Sequence, residues 1–187
     1  MALFYLFFFP AYFGGAAAAR WTGPPRVPAA AWEMAMPLAP VMILPYLALF
    51  PLFLLPAFTM TPEAMARLSR QSSAALVAAF VVFALAPTRV GYPPPVVDEP
   101  WAALFGLLAT LDTRANALPS LHVVFAALIL SGAAEGARTA GKALCALAFL
   151  LVAASTLLTH QHHVLDVAAG LALALVVRRL WPLRDGR

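Results

Sequence analysis

Six stretches of this chain run almost without charge: residues 1–19, 36–60, 72–86, 118–134, 143–159 and 164–180. The exceptions are Asp166 near the start of the last run and Arg178 and Arg179 at its end. A bilayer hydrocarbon core of about 30 Å takes about 20 helical residues to cross. The runs therefore predict an all-α, polytopic membrane protein: a six-transmembrane-helix bundle in one domain over residues 1–187. Composition agrees, at 63% hydrophobic and 11% charged residues. Soluble domains lie near 45–50% apolar and about 25% charged. A disordered chain, a coiled coil and an ordinary water-soluble enzyme are thereby excluded. The single cysteine, Cys145, rules out an intrachain disulfide and a cysteine-based zinc site.

The connections carry the polarity. Residues 20–33 form a Pro-rich link, and the second run holds Pro37, Pro40, Pro45, Pro51 and Pro56. Prolines are tolerated in lipid where neighbouring helices satisfy the released carbonyls. Residues 61–71 read as a short polar loop. The long connection 87–119 contains an apolar insert, 101–111, too short to span and expected as an interfacial or re-entrant helix. The first run also has the small residues of a cleavable signal peptide at 16–19, but no Lys or Arg precedes it, which favours retention.

Charge sets the expected orientation. Arg67, Arg70, Arg138, Lys142, Arg178, Arg179, Arg184 and Arg187 fall on one side of the six spans. Arg20, Arg26, Arg89 and Arg114 fall on the other. The positive-inside rule predicts a cytoplasmic C-terminus and a long third connection facing the periplasm or exterior of a bacterial-type plasma membrane. The net charge of +4 is then a matter of topology, and no nucleic-acid partner is expected.

All four histidines, His122, His160, His162 and His163, belong to that outer side. His122 opens the fourth span in N-A-L-P-S-L-H, and His162 opens the sixth in T-H-Q-H-H-V-L-D. Forty residues allow the chain to cross the membrane and return, so both helix N-termini point at one face. Such ends favour anions. Pro119 suits a first helical turn, and Ser120 suits a cap or a phosphate-facing hydroxyl. Asp166 follows His162 by four residues and shares its helix face. A carboxylate there can hold one imidazole nitrogen and leave the other to attack. A histidine on the second helix can then serve as general acid. His160 and His163 are expected to face headgroups or the turn. A zinc cluster of His122, His160, His162 and Asp166 is a competing arrangement. A serine-protease reading of Ser120 lacks the G-x-S-x-G elbow.

These strings resemble the type 2 phosphatidic acid phosphatase superfamily. Pro119, Ser120 and His122 match its Pro-Ser-x-His motif. Ser155, His162 and Asp166 match a later motif, Ser-Arg, five residues, His, three residues, Asp. The resemblance implies a six-helix membrane core and metal-independent phosphoryl transfer with no cofactor. It also implies a phosphohistidine at His162, orientation by Asp166 and leaving-group protonation by His122. Thr156 stands where the motif has Arg, and the family's first motif, Lys, six residues, Arg-Pro, is absent. Arg89 and Arg114 are the candidates to supply the missing cations to the phosphate, with Ser120 and Ser155. The strings N-A-L-P-S-L-H-V and T-H-Q-H-H-V-L-D look more like the inositol phosphorylceramide synthase and sphingomyelin synthase branch, which also lacks the later motif's Arg. The expected partners are a lipid phosphate substrate and the bilayer. The expected activity is that of a lipid-phosphate phosphatase or phosphotransferase, with headgroup transfer as the alternative. A transporter with a His–Asp proton relay, and a purely structural membrane protein, are further options. The spans lack the scattered ionisable groups a relay needs.

Overall fold

Prolines decide the shape of the second apolar run. Each lacks the N–H that would bond four residues back and crowds the turn before it. In a computed structural model of the chain, which describes residues 25–111 and 114–182, this run is not one spanning helix. It begins with a 3₁₀ turn, Pro40–Met42, and breaks into three short helices, α1 (Ile43–Leu47), α2 (Leu49–Leu52) and α3 (Leu55–Thr59). Bonds such as Ala48 N–H to the Leu44 carbonyl (3.0 Å) and Leu52 N–H to the Ala48 carbonyl (3.1 Å) carry the chain across the breaks. The first apolar run lies outside the described residues, as do Arg20, Arg184 and Arg187.

The polar stretch expected as a loop is instead the start of α4, Pro62–Leu85. Thr61 caps it, its hydroxyl accepting from Ala64 N–H at 3.3 Å. Pro62 occupies the first turn and Glu63 follows where the helix dipole favours an acid. The insert forms α5 (Trp101–Leu111), with the bounds read from the sequence. Then come α6 (Leu121–Glu135), α7 (Thr139–Leu158) and α8 (Val164–Leu180). Pro119 precedes the cap of α6 and so lies outside its first turn, because Ser120 is the N-cap.

Among the described residues, α4 and α7 are long and apolar enough to cross a membrane. The 15 residues of α6 rise about 22 Å. The 17 of α8 rise about 25 Å. Apolar side chains point outward from all three peripheral helices: Val77 and Leu85 on α4, Leu144, Leu147 and Leu150 on α7, Leu175 and Val176 on α8 are exposed. Water-soluble surfaces rarely carry such belts, whereas lipid accepts them.

The core forms around α6, which is apolar on every side, the signature of a helix enclosed by others. Leu121, Val124, Phe125, Leu128 and Ile129 pack with Leu76, Ala79 and Phe83 of α4, Val152 of α7, and Ala174 and Val177 of α8. A second cluster joins Ile43 and Tyr46 of α1 to Phe105 and Leu108 of α5. Gly170 sets the spacing between α6 and α8. A Cβ added there would sit 2.6 Å from the Ser120 carbonyl oxygen and 3.2 Å from the Val123 Cβ. Small residues allow this kind of close helix approach in lipid.

The long connection folds back on itself. Arg26 bridges to Thr88 and Arg89 to Ala115. Arg89 N–H donates to the Arg26 carbonyl (2.8 Å), Val90 N–H to the Arg114 carbonyl (2.9 Å), and Asn116 N–H to the Thr88 carbonyl (2.9 Å). Residues 88–92 thus form an arm beside the start of α8, with Val90, Tyr92 and Ala117 as a small core of its own.

Candidate active site

The N-termini of α6 and α8 are bonded to each other: Ser120 N–H donates to the Asp166 carbonyl at 3.0 Å. Ser120 is fully buried, and its hydroxyl accepts a long bond from Val123 N–H, 3.5 Å. That junction brings His122, in the first turn of α6, to His162, in the turn before α8. Their ring centroids lie 6.2 Å apart, with the planes at 56°. The His122 ring stacks on Tyr46 of α1, centroids 4.0 Å apart. Broken by its prolines, the second run therefore presents an aromatic wall to the site.

His162 Nδ1 is 3.5 Å from Asp166 Oδ2, and both side chains are nearly or fully buried. This is ion-pair range, longer than the 2.7–3.2 Å of a hydrogen bond. Oδ2 already accepts from His163 N–H at 2.8 Å, while Asp166 Oδ1 and His162 Nδ1 are buried without hydrogen-bond partners. Closing about half an ångström completes the His–Asp pair, and catalytic bonds commonly tighten only around substrate. The two side chains approach each other, but His162 lies ahead of the N-cap His163 and not on the α8 face that the spacing of four predicted, and the expected hydrogen bond is not made.

The turn leading into His162 is shaped by α7. His160 N–H donates to the Leu157 carbonyl, and Gln161 N–H and His162 N–H both donate to that of Thr156. This is a Schellman ending, and His160 occupies its left-handed position at φ 57°. Glycine is usual there. The strain is offset by the imidazole: Nε2 meets the Met36 carbonyl at 3.0 Å, and the ring stacks on Tyr92 at 4.0 Å and 7°. Burial holds the His160 ring below the ordinary histidine range, and nearby Arg114 and His163 add to this. Among the described residues no three His, Cys, Asp or Glu side chains gather as a metal site would require. His160 is turned to Met36 and Tyr92, away from the cluster that a zinc arrangement would need.

The candidate phosphate ligands differ in placement. Ser155 is buried at the end of α7, and its hydroxyl donates to the Val152 carbonyl of its own helix at 2.7 Å. Arg114 directs Nη2 at the Tyr92 carbonyl and, at 3.5 Å, at that of Pro93. Arg89 lies on the arm with an exposed side chain. The structure thus joins His122, His162, Asp166 and Ser120 at one point. It leaves Ser155 facing its own helix, Arg89 on the arm and Arg114 on the segment bridged to it.

Sequence reasoning passed over one residue here and misjudged the surroundings of another. Glu33, at the end of the Pro-rich link, is buried. Its carboxylate accepts from Ala30 N–H at 3.0 Å, from Val164 N–H at 2.9 Å, and from His163 Nδ1 at 3.2 Å. His163, expected at headgroups or in the turn, is fully buried, and its Nε2 accepts from Gly91 N–H at 2.9 Å. The available signal was faint: Glu33 is the only acidic residue before Glu63. The carboxylates also change the expected role of the α8 N-terminus. The N–H groups of His163 and Val164, anticipated as phosphate donors, are already bonded to Asp166 and Glu33. Burial and the Glu33 charge push the Tyr92 phenol above its usual value, keeping it a donor to the Glu33 carbonyl at 2.9 Å.

No curated protein and no solved structure matches this chain. Residues 27–180 do match a family, described as the PAP2 superfamily, and that span contains every helix described above. With most of its length matched and the two histidines of its motifs brought face to face, the chain belongs to the PAP2 superfamily.

Proposed function

We propose that the protein is an integral membrane phosphatase or phosphotransferase acting on a lipid-linked phosphate ester at the outer face of a bacterial-type plasma membrane, with the C-terminus in the cytoplasm. Membership of the PAP2 superfamily supports the general class of phosphatase or phosphotransferase. The observation that carries the finer reading is the 6.2 Å approach of the His122 and His162 rings, with Asp166 behind His162.

The reaction runs in two balanced steps. The His162 Nε2 lone pair attacks phosphorus. The P–O bond to the leaving group breaks, and that oxygen takes a proton from the His122 imidazolium. Asp166 accepts from His162 Nδ1–H and stabilises the charge that develops on the ring. Water or a lipid alcohol then gives its proton to His122 and attacks phosphorus, and the P–N bond breaks. Arg89, Arg114, Ser120 and Ser155 are proposed to bind the phosphate oxygens, the arginines and Ser155 after turning from their present partners or positions. The chemistry asks for no cofactor.

Headgroup transfer, the alternative, is favoured by one feature. Thr156 replaces a cation, Arg114 spends Nη2 on carbonyls, and α8 offers carboxylate-bound N–H groups. Such a cradle suits the single charge of a phosphodiester better than the greater charge of a monoester. The test is to incubate purified protein with lipid monophosphates, pyrophosphates and phosphodiesters under EDTA, then assay free phosphate and new lipid products. Turnover in EDTA is expected, with free phosphate marking hydrolysis and a new lipid product marking headgroup transfer. Activity abolished by EDTA would contradict the metal-independent mechanism.

A further inference from the structure

The buried pair Glu33–His163 lies beside the proposed nucleophile, and the two steps above use neither residue. Each polar atom of the pair has a directional bond. Gly91 N–H can only donate, so His163 Nε2 must be the lone-pair nitrogen, and Nδ1 carries the proton that faces Glu33. The Glu33 carboxylate accepts from that ring and from the first N–H of α8, where the helix dipole favours negative charge. Tyr92 closes the unit. Its ring stacks on His163, centroids 4.8 Å apart, and its hydroxyl donates to the Glu33 backbone.

A buried carboxylate is costly, and breaking such a pair strands the remaining partner. This one connects three segments distant in sequence: the link before the second run, the arm 88–92, and the N-terminus of α8. The arm bears Arg89, and its Tyr92 carbonyl holds Arg114. His163 is the immediate neighbour of His162. We propose that Glu33 and His163 are positioning residues that clamp the arginine-bearing arm onto the helix that presents His162 and Asp166. They fix where the phosphate oxygens meet their cations. The consequence for turnover rests on the proposed phosphoryl-transfer reading; the clamp itself does not.

The experiment is therefore a pair of measurements on the full-length protein in detergent or nanodiscs. Hydrogen exchange reports the arm directly, through the segment containing the Gly91 amide. In Glu33→Gln, which is isosteric, and in His163→Phe, exchange there should speed up about tenfold. His163→Gln, which can offer Gly91 an acceptor, should recover most of the protection. Turnover of the best substrate from the panel should drop about 10–100-fold in Glu33→Gln and His163→Phe, mainly in kcat with KM within a few-fold, because the cradle is misplaced and not removed. Because both residues act through one contact, the double variant should be no worse than the worse single one. Unchanged Gly91 exchange in Glu33→Gln would overturn the clamp. So would a double variant whose loss is the product of the two single losses. If the wild-type protein turns over nothing in the panel, the phosphoryl-transfer reading fails, and the exchange data still decide whether the clamp exists.

Discussion

The two ends of the α6–α8 pair treat charge in opposite ways. At their N-termini, Asp166 and His163 are fully buried and Glu33 almost so, and the bonds among Glu33, His163, Gly91, Val164 and Asp166 Oδ2 are directional. At their C-termini, Glu135 and Arg178 also pair, Nη2 to Oε1 at 2.8 Å, but with side chains 41% and 28% exposed, and Arg178 also contacts the Ser131 hydroxyl. An exposed pair is screened by solvent and salt and contributes little. A buried one holds its partners in one geometry or leaves a stranded charge. The same two helices are thus fastened loosely at one end and rigidly at the end where chemistry is proposed.

The largest expected effect lies at the rigid end. His162→Ala should lower turnover about a thousandfold or more while leaving thermal unfolding and expression near wild type. A well-folded, fully active variant would remove His162 as the nucleophile. Next comes helix spacing. Gly170→Leu forces side-chain atoms into the Ser120 carbonyl and should cost about 1–3 kcal/mol or more, read as a lower melting temperature and yield. Gly136→Ala at the opposite end, where an added Cβ meets nothing within 4 Å, should be nearly silent. Equal losses from both would show that the ends do not differ in packing. Glu135→Gln should change stability by less than about 1 kcal/mol, with any change shrinking in high salt.

The smallest effect is the pH response of the turn. Burial lowers the proton affinity of His160, with Arg114 and His163 adding to it and the Met36 carbonyl opposing it. The unfolded chain therefore takes up a proton below about pH 6.5 that the folded turn resists. Stability from this group is full above that pH and declines as pH falls through the ordinary histidine range. Melting temperature measured from pH 7.5 to 5.5 should fall less steeply in His160→Gln than in the wild type.

What could be read from the sequence follows from how local each signal is. The bounds of α5 and α8 were legible because largely apolar runs are bounded by Pro100 and Asp112 in one case and by the histidine turn and Pro182 in the other, whereas the approach of His162 to Asp166 comes from the turn before α8 and not from a shared helix face. The start of α4 was legible in principle: Thr61-Pro62-Glu63 has the cap, the proline and the acid of a helix N-terminus, yet the polarity of 61–71 suggested a loop. The second run could not be resolved by hydropathy, since its breaks depend on where prolines remove donors. Ser155 and Arg114 have the right chemistry, but their bonds go to nearby carbonyls, which rotamers decide and spacing does not. Glu33 and His163 are separated by 130 residues, and no periodicity links them. His162 and His163 are chemically identical neighbours; spacing to Asp166 singles out His162, but only the direction of its ring shows that His163 meets Glu33.

The central claim is that His162 and His122, whose ring centroids lie 6.2 Å apart, divide the chemistry between them. The direct measurement is to trap the intermediate from a labelled, activated aryl phosphate in His122→Ala. An activated leaving group needs little protonation, so His162 should still be phosphorylated, while the missing base slows its release. The account predicts label that is acid-labile and base-stable, mapping to His162, and absent in His162→Ala. Label at another residue, or the same label in both variants, would contradict it.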